Sequence, residues 1–147
     1  PMEGLTLSAN YAYTKVELSK AFNPFTNTQA VIYPLYTPEN AGGVSIDYER
    51  PALGAIFKAH LDANYADGQY TGTTDPTLSD SSFLVNARLS LTDIQISDTG
   101  AKLQLSLWSR NLLDEAHMFL KNTNAALGTY AIFNDPRTFG AEMNIKF

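Results

Sequence analysis

The residues best equipped for chemistry stand at alternate positions: Lys58, His60, Asp62 and Asn64. In an extended chain that spacing sets an amine, an imidazole, a carboxylate and an amide in one row on one face. Such a row can contact a passing polar solute or a packed segment, and an ordinary solvated or salt-bridged ladder uses the same residues. Arg88 and Arg110 read the same way on later stretches. Trp108 stands among polar neighbours where an aromatic is unexpected. Catalysis is not indicated: no G-x-S-x-G run marks a nucleophile elbow, and nothing pairs Glu49 with Glu142 as acid and base. His60 and His117, the two histidines, lack the spacing of zinc ligands. The absence of cysteine excludes disulfides and thiolate metal sites. We therefore expect no enzyme activity, no cofactor and no metal site.

Positioning that row requires strands, and six stretches alternate apolar with polar residues: 5–16, 42–50, 55–67, 83–94, 102–111 and 138–147. In 55–67, Phe57 and Leu61 oppose Lys58, His60, Asp62 and Asn64; in 102–111, Leu103 and Leu105 oppose Trp108 and Arg110. The same alternation sets Leu5, Leu7, Tyr11, Val85, Leu89, Met143 and Ile145 on the apolar side. The final stretch places Phe139 and Phe147 on that side too and stops on an aromatic, which implies an apolar surface to receive it. Between the stretches the connections run long, short, long, short, long, with the short ones at 50–54 and 97–100. Membrane β-barrels have this asymmetry of short turns and long loops, and their strands alternate apolar-out with polar-in. Tyr13, Tyr48, Tyr65, Phe83 and Phe147 near strand ends fit aromatic girdles, although aromatics are also simply good strand formers.

Composition agrees without deciding. The chain has 147 residues and a formal net charge of −5, which argues against a nucleic-acid surface. No apolar run approaches the roughly 18 residues of a membrane helix, and mean hydropathy is −0.17. Alternating barrel strands leave the average hydropathy unremarkable. The start, Pro1-Met2-Glu3-Gly4, lacks the features of a signal peptide, so a mature product or a fragment is expected. Six strands are too few for a single-chain membrane barrel, which starts at about 8. Open edges in lipid leave backbone groups unpaired, so missing upstream strands or other chains must complete the ring.

Four motifs carry a family resemblance: Gly4-Leu5-Thr6-Leu7-Ser8-Ala9-Asn10-Tyr11-Ala12-Tyr13-Thr14; Thr37-Pro38-Glu39-Asn40-Ala41; Leu107-Trp108-Ser109-Arg110-Asn111-Leu112-Leu113-Asp114-Glu115; and Asp135-Pro136-Arg137-Thr138-Phe139-Gly140 leading to Phe147. In order and spacing they resemble the C-terminal part of a TonB-dependent outer-membrane receptor, over nearly the whole chain. The resemblance implies an all-β, antiparallel transmembrane barrel of about 22 strands with a plugged lumen, of which this chain supplies about the last six. It implies TonB-energised import of a scarce solute (an iron chelate, a vitamin or a carbohydrate) in the outer membrane of a Gram-negative bacterium. The implied partners are outer-membrane lipid, the remaining strands and plug of the same receptor, the TonB complex through an N-terminal region not in this sequence, and the outer-membrane assembly machinery. Phe139 and Phe147 would belong to the signal that machinery reads. The alternating rows would then place Lys58, His60, Asp62, Asn64, Arg88, Trp108 and Arg110 in the lumen, with Trp108 packing against the plug. Leu5, Leu7, Tyr11, Phe57, Leu61, Val85, Leu89, Leu103, Leu105, Met143 and Ile145 would face lipid.

Substrate selection is expected in the loops 22–36, 67–80 and 119–133, which mix aromatics with Asn and Thr. Two other readings share the strands: a passive outer-membrane channel or structural barrel, and a soluble β-barrel binding protein whose apolar rows point inward.

Overall fold

The computed structural model describes every residue except 1, 25, 26, 99 and 125–127, with side chains also left aside at 122–124. Parts of the predicted 97–100 turn and of the 22–36 and 119–133 loops thus lie outside the described residues. The chain is all-β, with antiparallel sheets and no helix among the described residues. Its strands are β1 (Leu5–Tyr13), β2 (Ser19–Asn23), β3 (Thr28–Ile32), β4 (Asn40–Ala52), β5 (Ala55–Ala66), β6 (Ser82–Gln95), β7 (Lys102–Arg110), β8 (Met118–Asn124), β9 (Gly128–Phe133) and β10 (Thr138–Lys146). Six form one sheet in the order β1-β4-β5-β6-β7-β10, and the hairpins β2–β3 and β8–β9 stand apart from it. The six are the stretches that alternation marks out. The two hairpins lie inside segments read as plain loop, and β1 ends at Tyr13 rather than near residue 16.

Every connection in the large sheet joins neighbours, so both two-strand turns and Gly4 sit at one end and the three long connections at the other. The β4–β5 turn is two residues, Leu53 and Gly54, both at positive φ (55° and 75°). That is the turn whose twist matches paired strands. At the same end Gly4 has φ 79°, and a Cβ there would lie 1.9 Å from the Glu49 carbonyl oxygen, so only glycine fits.

Register carries the apolar rows across all six strands without a break. Leu5 pairs with Tyr48 and Leu7 with Ile46; Ile46 pairs with Leu61, Ala63 with Val85, Leu89 with Leu107, Leu105 with Met143 and Leu103 with Ile145. One irregularity protects the pattern. Between Leu91 and Ile94, β6 has one residue more than β7, and Asp93 takes φ 59°. This bulge returns Ile94 to the apolar face opposite Leu103, where strict alternation would have turned it away.

Among the described residues, no layer packs on the sheet's apolar side. The buried apolar ones among them are Ala55, Val85 and Ala101, fewer than the buried polar ones: Ser79, Ser90, Ser106, Asn111 and His117. Leu107 is 62% exposed and Met143 67%. A folded soluble domain reverses this balance.

Candidate functional site

Lys58, His60, Asp62 and Asn64 share the opposite face with Arg88, Trp108 and Arg110, because the registers pair His60 with Arg88 and Arg88 with Trp108. The predicted polar row is therefore a polar field spanning several strands. Lys58 Nζ meets Glu49 at 2.8 Å. The His60 ring lies between two carboxylates, Nδ1 2.7 Å from Asp47 and Nε2 3.3 Å from Asp62. Asp62 also accepts from the amides of Asn64 (2.7 Å) and Asn86 (2.9 Å). Arg88 reaches across two strand spacings to Glu142, and Lys102 Nζ meets Asp93 at 2.6 Å beside the bulge. Ser90 and Ser106, both buried, share a hydrogen bond of 2.9 Å. Exposed pairs of this kind each contribute about 0–1 kcal/mol, so the network orients side chains more than it stabilises the sheet.

Trp108 has a definite local partner. It faces Gly140 in register, and a Cβ on Gly140 would lie 2.6 Å from its ring. The indole thus lies over a glycine of the edge strand and covers backbone a side chain would otherwise shield. The guanidinium carbon of Arg110 sits 5.7 Å from the ring centroid, within cation–π range. Hollows of about 560 and 320 Å³ open on this face, the first along Asp47, Glu49, Lys58 and His60, the second among Asp62, Asn86, Trp108 and Arg110.

The residues predicted as lipid-facing all take the other face by register; Phe139 lies there opposite Ser109, and Phe147 follows the last strand and is fully exposed. At the long-loop end Tyr11, Tyr65 and Phe83 form one band around Gly42. Both phenols of the band end on polar groups: Tyr11 donates to Asn40 Oδ1 (2.6 Å) and Tyr65 to Asp67 Oδ1 (2.7 Å). Asp67 Oδ2 accepts from the backbone and side-chain nitrogens of Asn40. The Tyr65 hydroxyl first, then Asn40, holds the Asp67 carboxyl below its ordinary range.

Sequence reasoning missed the hub of this end, Asn111. It is buried, at φ 49°, and its side chain donates to the carbonyls of Glu115 (2.8 Å) and Asp135 (3.1 Å) while accepting from the Glu115 N–H (2.9 Å). Glu115 in turn accepts from the Phe83 N–H with both oxygens. Asp114 accepts from the Arg137 N–H at 3.1 Å. The Arg-Asn-Leu-Leu-Asp and Asp-Pro-Arg segments, far apart in sequence, are thus one interlocked clasp. Their shared Asn, Asp and Arg chemistry was the available signal. Beside the clasp, the buried His117 Nδ1 lies 3.4 Å from Glu115 but is not aligned as a hydrogen bond.

The three long connections also touch one another. Tyr33 and Tyr70 rings lie 4.6 Å apart, Tyr36 N–H donates to the Tyr70 carbonyl, and Thr71 Oγ1 donates to the Lys121 carbonyl. Residues 70–73 therefore stitch the first loop to the last. Among the described residues no cluster of three metal-ligating side chains occurs. No protein-family model, curated protein or solved structure matches the chain.

Proposed function

We propose that this chain is a section of the wall of an outer-membrane β-barrel: the C-terminal strands of a TonB-dependent receptor that imports a scarce solute. One observation carries the membrane reading. Six antiparallel strands, each of nine residues or more, present a continuous apolar face with no core against it. A strand needs about 9–11 residues to cross a bilayer, and soluble monomers rarely leave an apolar patch of this extent bare. The polar face, with its paired charges and hollows, suits a water-filled or plugged interior. The resemblance of the four motifs supports the receptor assignment.

On this reading the linked loops face outward and select the solute, the short turns face the periplasm, and the polar wall meets the plug. The test is extraction: after washing with salt and alkaline carbonate, the chain stays with the membrane and requires detergent. Recovery in the aqueous phase would overturn the proposal. A second measurement grades it. Leu89→Arg, at mid-strand on the apolar face, destabilises the chain refolded in lipid vesicles by roughly 2–4 kcal/mol in urea titration. A neutral result would show that this face does not meet hydrocarbon.

A further inference from the structure

Three cations of the polar face, Lys58, Arg88 and Lys102, each have a carboxylate within 4 Å. Lys146, at the end of the last strand, and Arg110 have none among the described residues. Arg110 has no acceptor among the described residues; its one close partner is the Trp108 ring. That contact leaves its N–H fork unused. The side chain stands between two hollows, about 320 Å³ beside Trp108 and Asn86 and about 480 Å³ beside Asn111, Asn134 and Asp135. Its backbone is fixed from the next residue by the Asn111 clasp.

We infer that Arg110, seated on Trp108, is a receptor for a carboxylate. A guanidinium fork matches the two oxygens of a planar carboxylate. Asp62, Glu142 and Asp135 line the flanking hollows, and their negative field favours a singly charged anion over a dianion such as phosphate. The carboxylate has two possible sources, a free organic acid or an Asp or Glu side chain on a polypeptide segment lying against this face. The site stands on the polar face whatever covers the apolar one, so its failure would leave the membrane reading intact.

Trp108 is the chain's one tryptophan, so its emission reports directly on the site. The folded full chain in detergent is titrated at fixed ionic strength with N-acetylglycine, with the blocked peptide acetyl-Gly-Asp-Gly-amide, with phosphate and with chloride. A saturable change with either carboxylate supports the site, and the tighter of the two identifies the source. Arg110→Gln weakens the response roughly ten-fold or more, since a charge-assisted pair is lost, whereas Lys102→Gln leaves it unchanged. The inference is overturned if neither carboxylate titrates, if phosphate titrates as well as they do, or if Arg110→Gln leaves the curve in place. Phenylglyoxal labelling of the unsubstituted chain needs no variant: the carboxylate should protect Arg110 selectively, and equal labelling with and without it would also overturn the site.

Discussion

The two ends of the sheet are closed by different means. At the short-turn end the backbone does the work: Leu53 and Gly54 turn in two residues at positive φ, and Gly4 tucks under the Glu49 carbonyl. At the long-loop end side chains do it, through Asn111, Asp114, Glu115 and Arg137 on one flank and Asn40 and Asp67 on the other. Local geometry suffices where the chain reverses at once. Where some 15 or more residues intervene, loop-closure entropy grows, and long-range polar contacts are needed to bring the strand ends back into register.

The contrast can be broken from either side. Asn111→Ala strips three hydrogen bonds from a buried site and costs roughly 2–4 kcal/mol. Hydrogen exchange should rise at Glu115 and across the loop to Arg137, and little at the short turns. A uniform rise would mean that the clasp is not a separate unit. Gly4→Ala comes next, at about 1–3 kcal/mol, because the site combines positive φ with a clash. Its effect should be confined to the start of β1 and the facing part of β4. Leu53, fully exposed at φ 55°, works in the other direction. Leu53→Asn supplies a residue that tolerates this conformation and should raise stability by roughly 0.5–1 kcal/mol in urea titration.

The smallest effect is one of pH. A carboxyl held below its ordinary 3.8, as Asp67 is, adds stability that is fully present above that value. The contribution is lost as acid carries the pH down through the lowered value. Amide protection at Asn40 should fall in that window in the native chain and show no such step in Asp67→Asn. An unchanged step in the variant would assign it to another carboxyl.

The same contrast decides what could be read in advance. The six long strands were legible because a half-exposed strand writes its two faces at alternate positions, as in Phe57-Lys58-Ala59-His60. The short-turn end was legible in outline for the same reason. The hairpins β2–β3 and β8–β9 were not: Ala30-Val31-Ile32 and Met118-Phe119-Leu120 are contiguous apolar runs among Asn and Thr, without period 2. The bulge at Asp93 was hidden because one extra residue inverts the alternation that reveals a strand. The polar row was legible as a face, but its wiring was not. Pairing His60 with Asp47, or Trp108 with Gly140, depends on register, which no single segment contains.

A meander of six leaves its two edges pointing oppositely: β1 runs from the turns toward the loops and β10 runs back. On the proposed barrel reading, parity then limits what can close it. If every neighbour in the finished ring is antiparallel, the strands added between β10 and β1 must be even in number. An odd complement would force one parallel seam, with slanted bonds. Closure by whole hairpins satisfies the rule automatically, so the hairpin, and not the strand, is the unit by which this wall can be extended.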